Sequence, residues 1–262
     1  MLKLYYFDKV SSTNDKAAGF EENSVIVASE QASGRGRFNR KWSSSKGGIY
    51  VSLVLKLIET PQYLTFIAAI STQKAIESAL NIKTTIKWPN DLLFNGKKIC
   101  GILTEIKKEK AIVGIGVNTN NEIPLSLRTK SLSLNKIINK KINNNEIIKI
   151  ILKNFETYLK LLKNNKYNKI IADWKKNSFL GSKIKVKTLG KTYSGIAFGV
   201  DEDCFLILKT EKGNVTVREG DVIIIKTKKE DKIKDKVIEE FAHKINKEAF
   251  SELDNLNSSS QR

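Results

Sequence analysis

Histidine is almost absent from this sequence, which holds only His243 among its 262 residues. Ser-His-Asp hydrolysis and His-ligated zinc both require a well-placed imidazole, so this scarcity argues against both kinds of site. Cysteine is nearly as scarce, and Cys100 and Cys204 are too far apart along the chain to match a metal or redox motif. We therefore predict two buried thiols in a reducing compartment, the cytoplasm.

Long apolar runs are missing as well. Runs such as VIII at 222–225 are far shorter than the ~20 residues that cross a bilayer. The N-terminal stretch MLKLYYFDKV lacks the apolar core of a signal peptide. The sequence thus predicts neither a membrane span nor a membrane partner.

Acidic residues are outnumbered, because 28 Asp and Glu stand against 46 Lys and Arg, which gives a net charge of +18. This balance favours a polyanion, a phosphorylated ligand or an acidic protein partner, without choosing among them. Cationic residues are concentrated in QASGRGRFNRKWSSSKGG, residues 31–48, which we call the basic loop. Ordering glycines and like charges is unfavourable, so we expect this loop to bind an anion.

Two common phosphate-binding motifs do not fit the basic loop. A Walker A loop would continue with Gly-Lys-Ser or Gly-Lys-Thr, and a dinucleotide fingerprint would open a helix, whereas residues 48–57 alternate like a strand. Judged alone, the loop could equally be a flexible surface segment or a nucleic-acid patch. Trp42 favours a ligand, because a large aromatic side chain in such a loop needs something to cover.

Hydrophobic periodicity predicts that strands and helices alternate in the first half of the chain. Ser12 and Asp15 stand at capping-box spacing and predict a short helix after the first strand. Asn95-Gly96 predicts a hairpin. The predicted strands are 2–7, 24–30, 48–57, 84–88 and 111–118, and the predicted helices are 61–80 and the region 144–177.

The pattern changes near Gly181, where short strands joined by glycine or charged turns are typical of a small β-barrel. We therefore divide the chain into residues 1–180, 181–226 and 227–262. The last of these is a charged segment that we predict to be helical from its apolar stripe of Ile233, Val237, Phe241 and Ile245.

The segment KWPNDLLFNGKK at 87–98 gathers groups that could react. Lys87, Asn90 and Asp91 crowd the end of a predicted strand, and Lys98 lies on the next strand of the hairpin. Asp91 could hold magnesium, directly or through water, since hard oxygen ligands suit that ion. Lys98 could neutralise charge on a reacting carboxylate and phosphate. The alternative is an ordinary salt-bridged hairpin.

Two shorter segments add polar groups. SSTN at 11–14 could bind a small polar head group, or it could simply cap a helix. The glycines of GIGVN at 114–118 indicate the close approach of a ligand or another backbone to a strand. Asn118, at the end of that strand, could contact an adenine edge.

These segments together resemble those of the biotin protein ligases. The resemblance rests on Ser-Thr-Asn, Gln-x-x-Gly-Arg-Gly-Arg-x-x-Arg-Lys-Trp, Lys-Trp-Pro-Asn-Asp, Lys-x-x-Gly-Ile-Leu and Gly-Ile-Gly-x-Asn in this order, and it covers roughly residues 1–226. It implies an α+β fold, a mixed sheet with helices followed by an SH3-like barrel. It also implies a biotin–[biotin carboxyl-carrier protein] ligase that uses ATP and Mg²⁺ to make biotinyl-5′-AMP. That family then transfers biotin to one lysine of a carboxyl carrier domain.

The resemblance also implies roles for individual residues. Lys98 and Arg35 are the candidate catalytic residues, and Asp91 is the candidate magnesium ligand, although it could instead order Lys98. The candidate biotin-binding residues are Ser12, Thr13, Asn14, Gln31, Gly34, Arg35, Gly36, Arg37, Lys98 and Gly101. The candidate nucleotide-binding residues are Arg37, Arg40, Trp42, Asn90 and Asn118.

Electrostatics explains why such an enzyme needs these cations. A carboxylate and a triphosphate repel each other and must nevertheless reach a near-attack geometry. Negative charge moves toward pyrophosphate as the adenylate forms. On this resemblance, positive potential at that place would come from Lys98, Arg35, Arg37 and magnesium. The acyl-adenylate is destroyed by water, so we expect the basic loop to be disordered when empty and to close over the product.

The resemblance leaves three expectations about partners. Only ten residues precede Ser11, which leaves no room for the helix-turn-helix of repressor members, so we expect no operator DNA binding. The basic surface is expected to dock an acidic carrier domain. The oligomeric state is open, with a homodimer possible. Two alternative functions are lipoate ligation, which shares the fold and chemistry, and nucleic-acid binding through the net charge.

Overall fold

The computed structural model describes residues 2–225, which form two β-sheets with helices. The predicted helix in 227–262 lies outside the described residues, as does His243. No helix among residues 2–225 is long and apolar enough to cross a membrane.

The first sheet is mixed and has seven strands in the order β1-β2-β3-β7-β6-β5-β4. Only β1 and β2 are parallel, and every other neighbouring pair is antiparallel. The predicted strands and the Asn95-Gly96 hairpin are confirmed, with both hairpin residues at positive φ. The strands are β1 Lys3–Val10, β2 Ser24–Gln31, β3 Ile49–Lys56, β4 Thr85–Lys87, β5 Asp91–Phe94, β6 Lys97–Lys107 and β7 Lys110–Val117.

Alternation along the central strands divides apolar residues between the two faces of this sheet. Ile26, Val54 and Ile112 form a small buried cluster with Ala17. The opposite face packs on the main core, under the long helices. The helices are α1 Thr13–Ala17, α2 Gln62–Leu80, α3 Asn135–Ile138, α4 Asn144–Lys163 and α5 Tyr167–Lys176, with 3₁₀ turns at Arg37–Asn39 and Leu125–Leu127.

Helix α2 is buried on almost every side, because α4 and α5 pack on it from outside the sheet. The predicted helix at 61–80 is confirmed, with Pro61 at the N-cap. Trp174 of α5 stacks on Phe66 of α2 at 4.6 Å between ring centroids and 10° between planes. A stacked aromatic pair of this kind stabilises the fold beyond the burial of the two rings, so this contact joins α5 to the core.

The C-terminal unit is a five-stranded antiparallel sheet in the order β11-β10-β9-β8-β12. The predicted run of short strands is confirmed, but within residues 2–225 no ladder joins β11 to β12, so the sheet is not a closed barrel. Side chains of the first unit reach its backbone, as when Trp88 Nε1 donates to Cys204 O at 2.9 Å. The strands are β8 Lys183–Lys187, β9 Thr192–Val200, β10 Leu206–Thr210, β11 Gly213–Val217 and β12 Asp221–Ile224.

Both cysteines are buried and free, as predicted. Burial raises the pKa of each thiol well above its usual range, so neither is a thiolate at neutral pH.

We expect the change Phe66→Ala to lower the free energy of unfolding by about 3–5 kcal/mol, because it leaves a cavity against Trp174. Urea unfolding followed by circular dichroism measures this loss. Phe198→Ala is the matched control, since Phe198 is 60% exposed and its removal should change stability by less than about 0.5 kcal/mol. Equal losses in the two variants would contradict this account of the core.

Candidate functional site

A cavity of about 920 Å³ lies between the first sheet and the C-terminal sheet. The start of α1, the basic loop, the β5–β6 hairpin, β7 and β12 all contribute to its wall. The predicted site residues on this wall are Ser12, Thr13, Asn14, Gln31, Arg35, Gly36, Arg37, Arg40, Trp42, Asn90, Asp91, Lys98 and Gly101.

Two predicted residues do not line the cavity. Gly34 is buried, and a Cβ there would come within 2.4 Å of Ser44 Oγ. Asn118 is 3% exposed, and its side-chain oxygen accepts a hydrogen bond from Asn121 Nδ2 at 3.1 Å. Gly34 thus permits a tight backbone approach within the basic loop, and the expected contact of Asn118 with adenine stays a prediction.

Thr13 and Gln31 fix one end of the cavity. The backbone N–H and the hydroxyl of Thr13 both donate to Gln31 Oε1, at 2.7 and 3.0 Å. Gln31 Nε2 in turn donates to Ser44 Oγ at 2.8 Å. The start of α1 is therefore joined by side chains to the end of β2 and to Ser44 of the basic loop, which gives the polar turn at Ser12 a defined position.

Asn14 is held by the protein on all sides of its amide. Ser52 Oγ donates to its Oδ1 at 2.6 Å, while its Nδ2 donates to Leu103 O at 3.2 Å and Glu105 Oε2 at 2.7 Å. Both amide hydrogens are thus used, so a ligand could reach only the second lone pair of Oδ1. Asn14 accordingly anchors α1 to the sheet, and its predicted contact with biotin stays a prediction.

The basic loop forms a hairpin over residues 34–42. Trp42 N donates to Gly34 O at 2.8 Å, Gly36 N donates to Arg40 O at 2.7 Å, and Arg35 and Lys41 form a β-bridge. Phe38 turns the tip at φ 54°. The loop has no carboxylate of its own, but its arginines meet carboxylates that are distant along the chain.

Arg35 pairs with Asp15 on α1 through both guanidinium Nη atoms, one of them 2.7 Å from Asp15 Oδ1. Lys107 Nζ lies 2.6 Å from the same oxygen, and Glu105 lies 3.6 Å from Arg35. The hydrogen bond from Arg35, with that from Lys107, holds the pKa of Asp15 well below its usual range. The predicted capping box is wrong, because Asp15 binds these cations and Ser12 makes no side-chain cap.

Arg40 and Arg37 reach the C-terminal sheet. Arg40 binds Asp221 through both Nη atoms, with 2.9 Å between Nη1 and Oδ1, and this hydrogen bond lowers the pKa of Asp221. Arg37 donates one hydrogen bond, to Gly220 O at 3.3 Å. Burial lowers the pKa of Arg37, and within residues 2–225 most of its five N–H donors have no partner. Arg37 is therefore the arginine of the loop best placed to receive an anion.

Lys98 lies between a carboxylate and an aromatic ring. Its Nζ is 2.6 Å from Asp91 Oδ1 and 5.1 Å from the centroid of the Trp42 ring. Lys87 approaches the other oxygen of Asp91 at 3.4 Å. Asp91 thus holds two ammonium groups at the cavity wall, which orients Lys98 toward any anion that enters.

A resident metal does not fit these residues. Among residues 2–225 no three His, Cys, Asp or Glu side chains stand close enough together to hold a metal ion. Asp91, the expected magnesium ligand, is already paired with Lys87 and Lys98. We therefore assign Asp91 to the positioning of lysine, and Mg²⁺ would have to enter with a nucleotide, largely liganded by phosphate and water.

The glycines of β6 and β7 allow a close approach, but the groups that approach them are side chains and not the second backbone that GIGVN also allowed. A Cβ at Gly114 would lie 2.3 Å from Asn14 Oδ1, and a Cβ at Gly116 would lie 2.5 Å from Trp42 Nε1. A Cβ at Gly101 would lie 3.1 Å from both Trp42 and Lys98. Trp42 Nε1 is buried and has no hydrogen-bond partner within residues 2–225, so it can donate to a ligand.

Sequence reasoning missed the carboxylates that pair with the arginines. Glu105 and Asp221 lie far from the basic loop in sequence and no motif marks them, while the capping-box spacing of Asp15 predicts a different role. It also missed the segment at 129–131, which lines the cavity where Ser131 forms a β-bridge with Lys98. Alternation along β6 places Glu105 and Lys107 on one face, which was the available signal for part of this cluster.

Comparison with known proteins identifies this architecture with one class of enzyme. Residues 6–120 match the model of the Biotin/lipoate A/B protein ligase family, and residues 179–224 match the Biotin protein ligase C terminal domain. A solved structure titled "Biotin protein ligase from Aquifex aeolicus in complex with biotin and ATP" superposes with a TM-score of 0.81 at 30% identity. The match covers 87% of this chain and 100% of that one.

Curated relatives point the same way. The "Bifunctional ligase/repressor BirA" of Bacillus subtilis (strain 168) is 36% identical over 238 residues, which cover 84% of this chain and 73% of the relative. The "Biotin--[acetyl-CoA-carboxylase] ligase" of Paracoccus denitrificans is 28% identical, covering 82% of this chain and 97% of that protein. The chain belongs to the biotin protein ligase family.

We expect Gly116→Ala to push the Trp42 indole off β7, because the added methyl group would stand 2.5 Å from Nε1. Near-ultraviolet circular dichroism and tryptophan fluorescence should both change, while the far-ultraviolet spectrum stays the same. Gly199→Ala is the matched control, since a Cβ there meets nothing within 4 Å. An unchanged tryptophan signal in Gly116→Ala would contradict this packing.

Proposed function

We propose that this chain activates biotin with ATP to biotinyl-5′-AMP and transfers biotin to one lysine of a biotin carboxyl carrier domain. Membership of the ligase family supports the reaction class, and the relatives named for acetyl-CoA carboxylase support the acceptor class. The observation that carries the proposal is the cavity whose wall brings Lys98, Arg37 and Trp42 together with the polar turn at Ser12. Trp42 Nε1 has no hydrogen-bond partner within residues 2–225.

The first step joins two anions. A carboxylate oxygen of biotin attacks the α-phosphorus of ATP, the bond to the β-phosphate breaks, and pyrophosphate leaves. We propose that Lys98 stabilises the charge at the attacked phosphate, since its ammonium group is held at the cavity wall by Asp91. We propose that Arg37 binds phosphate, since most of its N–H donors have no protein partner within residues 2–225.

The second step consumes the mixed anhydride. The amine of the acceptor lysine attacks the acyl carbon, the acyl–oxygen bond breaks, AMP leaves, and the amine gives up a proton. Water would compete for the same carbon, so the basic loop has to cover the adenylate until the carrier arrives. Two contacts support this covering role of the basic loop. Arg35 joins the loop to α1 through Asp15, and Trp42 packs on Gly116 of β7.

Three finer expectations belong to the same proposal. Magnesium would accompany ATP and neutralise its phosphates. The unit boundary is proposed near Gly181, between the end of α5 and the start of β8.

We propose that the chain has no repressor role, since the elements within residues 2–225 form the two sheets and their covering helices and include no separate DNA-binding unit. Gel-shift and light-scattering measurements test operator binding and the possible homodimer.

We expect Lys98→Ala to slow biotin-dependent ATP–pyrophosphate exchange by about 10²–10³-fold, because the developing phosphate charge loses its cation. Lys97→Ala is the matched control, since Lys97 is on the same strand and does not line the cavity. A loss below tenfold would mean that Lys98 positions the substrate and does not stabilise the developing phosphate charge. Exchange that depends on lipoate and not on biotin would overturn the proposed substrate.

We expect Arg35→Gly to form the adenylate and release it, so that nearby lysines on unrelated proteins become biotinylated. The reason is that the basic loop loses its ion pair with Asp15. Streptavidin blotting of bovine serum albumin added to the reaction measures this leakage. Lys46→Gly, in the same loop but away from the cavity wall, should leak no more than wild type. Equal retention by Arg35→Gly and wild type would contradict the role given to the loop.

We expect transfer to a carrier domain to slow as salt increases, while adenylate formation stays nearly constant. The reason is that a chain with a net charge of +18 would attract an acidic carrier, and salt screens that attraction. Stopped-flow and exchange assays over a range of NaCl concentrations separate the two rates. Equal salt dependence of both rates would show that long-range attraction between this chain and the carrier domain does not limit transfer.

A further inference from the structure

The hairpin of the basic loop is attached to both structural units. On one side Arg35 pairs with Asp15 of α1. On the other side Arg40 pairs with Asp221, 181 positions away in the chain, and Arg37 donates to Gly220 O. The hydrogen bond from Gly36 N to Arg40 O connects the two attachments, at 2.7 Å. The loop therefore bridges the cavity from the first sheet to the C-terminal sheet.

The attachment point on the C-terminal sheet is itself fixed. Gly220 has φ 155°, and a Cβ there would lie 2.8 Å from both Lys187 O and the Val186 side chain. Asp221 opens β12 opposite Lys187 of β8. One residue further, Val222 O accepts a hydrogen bond from Lys87 Nζ at 3.3 Å. Asp221 thus occupies a defined position relative to Lys87, which contacts Asp91 in the cavity.

We propose that Asp221 is a positioning residue through which the C-terminal sheet holds the basic loop closed over the adenylate. This inference rests on the proposed function. Asp221 has no assigned contact with biotin or ATP, and it acts through Arg40. The C-terminal sheet thereby controls how long the activated intermediate stays in the cavity.

The exposure of the pair sets the size of the effect. The Arg40 and Asp221 side chains are 60% and 41% exposed, so water and salt screen their attraction. Exposed ion pairs of this kind change an equilibrium by roughly one and a half- to fivefold. Loss of Asp221 should therefore speed the escape of adenylate within that range, and should leave its formation intact.

The test compares Asp221→Asn, which keeps the shape and removes the charge, with wild type. We expect about a threefold faster release of biotinyl-5′-AMP in a pyrophosphatase-coupled burst assay, with stronger labelling of albumin. The ATP–pyrophosphate exchange rate should change less than twofold. Asp221→Glu, which keeps the charge, should restore at least half of the lost retention. Glu211→Gln is the matched control, because this change removes the same charge from an exposed turn of the C-terminal unit, away from the cavity wall, at a residue with no ion pair within residues 2–225.

Salt provides a second readout that a general loss of packing would not give. Release from wild type should speed up with NaCl and approach that of Asp221→Asn, while the variant responds less. If Asp221→Asn releases adenylate as slowly as wild type, or more slowly, the inference is wrong, and Asp221 then merely competes with phosphate for Arg40. If wild type shows no biotin-dependent exchange at all, the proposed function fails before this inference is tested.

Discussion

The concentration of positive charge around one cavity is the constraint on which the rest of this structure depends. Two unit charges 4 Å apart at an effective dielectric constant of 20 interact by about 4 kcal/mol, so unpaired cations at such distances would oppose folding. Most of them are paired here. Asp91 holds Lys87 and Lys98, Asp15 holds Arg35, and Asp221 holds Arg40. Within residues 2–225, Arg37 lies over the Phe38 ring and donates one side-chain hydrogen bond, to Gly220 O, so most of its N–H groups are left for a ligand.

These pairings explain why the cavity lies where several distant segments meet. Each of these cations comes from the basic loop, from β4 or from β6, and its carboxylate comes from α1, from β5 or from β12. Backbone packing has to bring these elements within hydrogen-bond distance, and glycine makes this possible at two positions. Gly114 leaves room for the Asn14 side chain and Gly116 leaves room for the Trp42 indole, since a Cβ at either glycine would collide with that side chain. The strands of the two sheets therefore determine both the shape of the cavity and the charges that line it.

Local signals in the sequence predicted most of the fold. Apolar spacing predicted α2, β-branched alternation predicted the central strands, a change of pattern predicted the C-terminal strands, and Asn95-Gly96 predicted the hairpin. The failures have one physical cause, which is that long-range partners override local rules. Asp15 has the spacing of a capping box, but its carboxylate pairs with Arg35 and Lys107 instead of the helix N-terminus.

The same reasoning applies to the candidate site. Motifs predicted many of the residues that line the cavity, because the residues of each motif are neighbours in sequence and fold together, but they missed residues 129–131 and wrongly included Gly34 and Asn118. They could not predict what those side chains bind, because Glu105 and Asp221 belong to no motif. They also suggested a metal at Asp91, where the structure has two lysines. A carboxylate that suits magnesium equally suits an ammonium group, and only the fold decides between them.

A loop that protects a reactive intermediate must also release it, and the location of its ion pairs satisfies both requirements. A buried pair would cost about 3–5 kcal/mol to break by loss of one partner, which would keep the loop shut. The Arg40–Asp221 pair is exposed on both sides, and an exposed pair is worth about 1 kcal/mol or less. Such a contact biases the loop toward closure while a carrier domain can still open it. Arg37, which is partly buried in the same hairpin, can then bind phosphate while the loop is closed and release it when the loop opens.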